Sequence, residues 1–144
     1  MKKVFLALAF AAGTLFATAA PQNVSLDKLP QNSQELLKSD FSKEAVKNIH
    51  MDRESSWDKY TVYFTSGNTV SFAGGSGDWS KIDMKVGSVP SNLIPVKINS
   101  NVKNNYPGNL IKMIMKTNDG YQVKLSGGVT VMYDQDGNVA MATR

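Results

Sequence analysis

The chain states one pattern of core residues twice, and that duplication restricts its fold more than any other feature. Pro30, Phe41, Val46, Lys47 and Ile49 recur at one constant offset as Pro95, Tyr106, Ile111, Lys112 and Ile114. Tyr60, Val62, Phe64, Gly67, Thr69, Val70 and Phe72 recur at a second, slightly shorter offset as Tyr121, Val123, Leu125, Gly128, Thr130, Val131 and Tyr133. Gly77 then returns as Gly137, at an offset shorter by one more. What repeats is alternating aromatic and aliphatic positions with turn glycines, the skeleton of a fold and not of a catalytic site.

Each copy opens with a hydrophobic-Pro pair, Leu29-Pro30 or Ile94-Pro95, then a short amphipathic stretch. Ile94, Ile98, Val102 and Tyr106 are spaced four apart and line one helical stripe, as do Leu29, Leu36, Leu37 and Phe41 in the first copy. Proline suits a first helical turn, and Pro107-Gly108 stops the second helix. Four strand-like runs follow in each copy: about 45–51, 58–65, 68–73 and 79–84, then 110–116, 120–126, 129–133 and 138–142. Tyr60, Val62 and Phe64 alternate with Thr61, Tyr63 and Thr65, the period of a half-buried strand. Tight Gly- and Asn-rich turns join antiparallel neighbours, and there is no room for the crossovers of a parallel sheet. The expected fold is α+β: two tandem α-β-β-β-β repeats, 28–84 and 93–142, forming one antiparallel sheet of about eight strands with both helices on one face.

Residues 1–19 read as an export signal: Lys2 and Lys3, an apolar run from Val4 to Phe16, and small residues at Ala17-Thr18-Ala19. The remainder, 20–144, is expected to be a single domain. Removing Lys2 and Lys3 from 16 basic residues leaves 14 against 12 acidic ones, a net charge of +2. That balance lacks the clustered basic face of a nucleic-acid binder, and no later run is long enough to insert in a membrane. An exported chain without cysteine must hold its core without disulfides.

The order Leu-Pro, short helix, Phe or Tyr, then Tyr-x-Val-x-Phe or Leu, turn glycine, Val-x-Phe or Tyr and a closing Asp-Gly-Asn hairpin resembles the PepSY-like family of periplasmic proteins. That family is related in fold to beta-lactamase inhibitor proteins and is common in gut Bacteroidetes. The resemblance covers residues 28 to 142. One departure is Gly74-Gly75-Ser76-Gly77-Asp78, where the second copy has Asp134-Gln135-Asp136-Gly137-Asn138. The resemblance implies a periplasmic or secreted address, this fold and a role in binding or inhibiting proteins; it carries over no catalytic residue and no cofactor.

The residues themselves offer little for catalysis. A single histidine, His50, and no cysteine leave nucleophilic and multi-histidine metal sites without their parts, and His50 suits a surface or edge position. Asp134 to Asn138 looks like the start of a calcium loop, but the twelfth-position glutamate would fall at residue 145; a hairpin turn explains the same residues. Asp52, Glu54 and Asp58 read as a solvated charged turn rather than a glycosidase pair. Their segment, Asp52 to Lys59, is expected to be a long hairpin loop, longer than its counterpart by the drop in offset between Ile49 and Tyr60, and it carries Trp57. Tryptophan is enriched in binding hot spots, although folding back over the sheet edge would also explain it. Trp79 reads as core.

The helix-free sheet face, with Tyr63, Thr65, Lys124, Thr130 and Met132, is the second candidate. The expected function is a non-enzymatic exported module binding a protein or peptide of the cell envelope through Trp57, Tyr63, Lys124 and Met132, with no cofactor or metal. Two alternatives stand beside it. One is a carrier of a small molecule or envelope ligand, with a pocket between helices and sheet. The other is a carboxylate hydrolase.

Overall fold

The computed structural model describes residues 22–54 and 57–144, without the side chains of Glu54 and Trp57. The expected export signal therefore lies outside the described residues. Two helices, α1 (Gln31–Asp40) and α2 (Val96–Asn105), are displaced along the chain by the same offset that relates Pro30 to Pro95. Pro30 and Pro95 each immediately precede a helix, where a missing N–H goes unnoticed; the Pro30 carbonyl accepts from Ser33 and Gln34, and that of Pro95 from Asn99.

The strands are β1 (Gln22–Asn23), β2 (Val46–Glu54), β3 (Trp57–Phe64), β4 (Thr69–Ala73), β5 (Trp79–Asp83), β6 (Ile111–Thr117), β7 (Gly120–Leu125), β8 (Thr130–Asp134) and β9 (Val139–Thr143). They form one sheet in sequence order, antiparallel throughout. The ninth strand is β1, which the repeat does not contain. It lies along the outer edge of β2, where Gln22 is opposite Met51 and the Val24 N–H extends the ladder to the Ile49 carbonyl at 2.9 Å.

Directly paired residues of antiparallel strands point to the same face. Ile49, Val62, Val70, Ile82, Ile114, Val123, Val131 and Ala142 are opposite one another in turn, and so form one cross-strand row. The six from Val62 to Val131 are completely buried. At about 1.5–3 kcal/mol for each large aliphatic side chain taken out of water, this row is the main cohesive element of the sheet. Phe64 and Tyr133 lie two residues along from Val62 and Val131 on the same face. Phe41, at the end of α1, stacks on Phe64 with ring centroids 5.5 Å apart; the Tyr133 hydroxyl donates to Asn101 Oδ1 of α2 at 2.8 Å. Both helices thus cover one face, and one hydrophobic cluster includes residues from both repeats.

The repeats share their irregularities as well. A bulge between Val46 and Asn48 recurs between Ile111 and Met113, and one at Ser71–Phe72 recurs at Met132–Tyr133. Gly77 shows why its copy Gly137 is glycine: at φ +77° a Cβ would come within 2.0 Å of Asn32 Oδ1 in α1. Gly137, at φ +85°, lies the same way beneath Lys97, the counterpart of Asn32. Each helix start is docked on its repeat's last hairpin.

The expected loop from Asp52 to Lys59 is instead a ladder. In the second repeat the matching hairpin closes with Thr117 opposite Gly120; the first repeat adds two rungs beyond Asp52 and Lys59, Arg53 opposite Asp58 and Glu54 opposite Trp57. Adding two residues to each strand keeps the in-and-out alternation intact, so the insertion lengthens the strands without disturbing register.

Candidate functional site

The face away from the helices is the candidate interaction surface. Its central row runs His50, Thr61, Ser71, Lys81, Met115, Gln122, Met132, Met141, each opposite the next. A second row runs Asn48, Tyr63, Thr69, Asp83, Met113, Lys124, Thr130, Thr143. The repeat makes the two halves of each row comparable. In the central row His50, Thr61, Ser71 and Lys81 of the first repeat correspond to Met115, Gln122, Met132 and Met141 of the second. The first half is polar; the second carries methionine at three positions of four. Met115 and Met132 are half-buried, Met141 is 57% exposed, and Met113 is 4% exposed despite facing away from the helices.

Of the residues singled out in the sequence, Tyr63, Lys124 and Met132 share this face. They do not form one cluster. Tyr63 on β3 and Lys124 on β7 are four strand spacings apart, about 19 Å. Met132 is on β8, two rungs from the Lys124–Thr130 pair. Trp57 begins β3, paired with Glu54, and its side chain lies outside the described structure. Thr65, expected on the face, follows the end of β3 as an exposed turn residue whose N–H bonds to the Ala45 carbonyl. Met113, Met115 and Met141 were not anticipated. Strict alternation from Ile111 would bury Met113 and Met115 beneath the helices; the bulge reverses that parity and lets Ile111 and Ile114 both face inward.

The charged residues have local roles. His50 packs on Tyr63, ring centroids 4.8 Å apart, on half-buried β2 beside the edge strand. Arg53 pairs with Asp58 at 3.1 Å across the extended hairpin, and Asp52 is opposite Lys59. Asp134 Oδ1 accepts the backbone N–H of Asp136 and Asn138 at 2.9 and 2.8 Å, and Oδ2 accepts Asn138 Nδ2 at 3.2 Å. Those donors, the Asn138 N–H foremost, hold the Asp134 carboxyl below its usual range. The carboxylate thus serves its own turn. Among the described residues no group of three or more His, Asp or Glu is placed to hold a metal ion.

Trp79 is core, 9% exposed, with Lys116 Nζ 4.3 Å from its ring centroid. Between helices and sheet the core positions are buried, and one recess of about 140 Å³ opens beside α2, lined by Ile94, Val102, Lys103 and Ile111 among others. The larger depressions are open and superficial: about 300 Å³ beside Asp40, Lys43 and Met84, and about 260 Å³ beside Lys116, Tyr121 and Gln135. Burial raises the Tyr133 hydroxyl pKa to about 12, with a smaller contribution from Tyr106.

Comparison with known proteins agrees with this architecture. Residues 58–141 match the family described as "Putative beta-lactamase-inhibitor-like, PepSY-like". Among solved structures, a "putative periplasmic protein" of the DUF2874 family from Bacteroides vulgatus is 28% identical with a TM-score of 0.83, over 86% of this chain and 97% of that one. A protein of Bacteroides thetaiotaomicron, titled "putative calcium-regulated periplasmic protein", is 31% identical with a TM-score of 0.82, over the same shares. Another Bacteroides vulgatus periplasmic protein, of unknown function, is 29% identical with a TM-score of 0.80, over 87% and 100%. No curated protein matches. None of these relatives points to a catalytic family, and a periplasmic or secreted address agrees with all three. The chain belongs to the PepSY-like, beta-lactamase-inhibitor-like family.

Proposed function

We propose that this is an exported, non-enzymatic module that binds a protein or peptide of the cell envelope on its helix-free sheet face. The observation that carries the reading is the row Met115, Met132, Met141. A sheet face meant only for water would repeat the polar residues of the first half, whereas methionine is flexible and polarizable and suits adaptable contact surfaces. Lys124 on β7 sets a cationic anchor beside that stripe, and Tyr63 stands three strands from β6 as an aromatic position farther out on the same face. The family's inhibitor-like description favours an enzyme as the bound protein, which makes inhibition of a periplasmic or secreted enzyme the finer form of the proposal. The carrier reading has less support, because Val62, Val70, Phe72, Ile82, Ile98 and Ile114 fill the centre of the helix–sheet layer and the recess beside α2 holds only about 140 Å³, small for a ligand pocket.

Photo-crosslinking in the native envelope tests the proposal. A photoreactive residue at Met132, Lys124 or Tyr63 is expected to trap a discrete partner, while one at Val96 or Lys103 on the helices traps none. Equal products from both faces would count against the sheet face.

A further inference from the structure

Sulfur is distributed unevenly over this chain. Of seven methionines only Met1 lies in the expected export signal, and there is no cysteine, so thioethers are the only sulfur of the remainder. Met84 and Met113 are shielded, 7% and 4% exposed. Met51 is half-buried opposite Tyr60, on the face that the helices cover. The other three, Met115, Met132 and Met141, share the central row of the open face, and Met141, opposite Met132, is the most exposed of them all. The first repeat has His50, Ser71 and Lys81 at those places. Accessible sulfur on the open face is thus confined to the half on which a partner is proposed to land. Thioethers are readily oxidised, and a periplasmic or secreted address leaves them outside the reducing cytosol.

We propose that Met115, Met132 and Met141 form an oxidation site that switches the open face from a binding to a non-binding form, with a hydroperoxide as the oxidant. This regulation rests on the binding reading of that face. At each residue a sulfur lone pair attacks one oxygen of hydrogen peroxide; an S–O bond forms, the O–O bond breaks and, after proton transfer, water leaves. Sulfur loses two electrons and the peroxide gains them. The sulfoxide is polar and chiral where the thioether was flexible and apolar. In the free chain its oxygen is hydrated, so the fold is kept; under a partner the same oxygen would lose its water without gaining a donor, which opposes binding. Met84 and Met113 are oxidised last, because burial keeps their sulfur from the oxidant. Methionine sulfoxide reductases, one for each sulfoxide epimer, return the thioether while a dithiol becomes a disulfide and water is released.

Hydrogen peroxide treatment of the exported chain, followed in time by peptide mass mapping, tests the site. Met141 is expected to gain oxygen first, Met132 and Met115 next, and Met84 and Met113 last, with the melting transition retained. The partner trapped by crosslinking is expected to bind the oxidised chain at least about tenfold more weakly and to bind again after reductase treatment. A variant carrying Met115→Leu, Met132→Leu and Met141→Leu keeps an apolar face without sulfur, and its affinity should be the same before and after peroxide. Oxidation of Met84 or Met113 as fast as Met141, or unfolding on oxidation, would overturn the proposal. So would undiminished affinity of the oxidised chain, or an equal loss in the leucine variant. Capture of no partner before peroxide sinks the binding reading itself, and the switch with it, whatever the order of oxidation.

Discussion

The first repeat and the second solve the same interior problem alike and the same exterior problem differently. Inside, Ile49, Val62 and Val70 answer to Ile114, Val123 and Val131. Outside, His50, Ser71 and Lys81 answer to Met115, Met132 and Met141. Interior positions are constrained by packing on both the sheet and a helix, so a duplicated core has little freedom to diverge. The helix-free face has no such constraint. Its divergence reports what each half meets, water for the first repeat and, in the proposed reading, a partner for the second.

The largest difference in stability concerns the linker between the repeats. Asn68 is 2% exposed; its Oδ1 accepts from the Lys85 and Val86 N–H groups at 2.7 and 2.9 Å, and its Nδ2 donates to Glu44 and to the Val86 carbonyl. Its counterpart is Val129, buried and apolar. Asn68→Ala is expected to cost about 2–4 kcal/mol by chemical denaturation, since several donors and acceptors lose their partner together. Val129→Ala is expected to cost about 1–2 kcal/mol. Equal costs would show that the linker anchor adds nothing beyond burial.

A smaller contrast pairs Tyr133 and Asn101 with their counterparts Phe72 and Leu36. The hydrogen-bonded pair of one repeat is an apolar pair in the other, so Tyr133→Phe should cost about 1 kcal/mol and adding Asn101→Leu should restore part of it. The pH dependence has a definite sign. Unfolded tyrosine loses its proton near its ordinary value of 10, whereas folded Tyr133 keeps it to about 12. Stability from the neutral hydroxyl is therefore complete below pH 10 and is lost as pH rises from 10 towards 12. A thermal-melt series across that window should show the loss, and Tyr133→Phe should flatten it.

The smallest expected effect comes from trimming the long hairpin. Deleting Arg53, Glu54, Trp57 and Asp58 leaves Asp52 and Lys59 closing a two-residue turn, as Thr117 and Gly120 do in the second repeat. An exposed ion pair adds little, so the melting transition should change by less than about 1 kcal/mol. A collapse of folding would mean that the added rungs hold the first repeat together.

The sequence carried the architecture because the duplication consists of core positions at strand and helix periods. Three features escaped it for physical reasons. The drop in offset revealed the insertion, but two residues added to each strand carry no sign that tells a ladder from a loop, so the segment between Asp52 and Lys59 read as loop. A bulge consumes one residue without any fixed side-chain signature, so the parity that brings Met113 and Met115 to the open face could not be counted from Ile111. Strand β1 is too short for alternation to register. Of the site, Tyr63, Lys124 and Met132 were found from alternation within unbulged stretches of β3, β7 and β8.

The account's central claim is that the methionine half of the open face is where a partner lands. The direct measurement is the affinity of the crosslinked partner for a chain in which the second repeat carries the first repeat's residues, Met115→His with Met132→Ser. At least about tenfold weaker binding with an unchanged melting transition is the predicted result. Unchanged affinity in a folded double variant would contradict it.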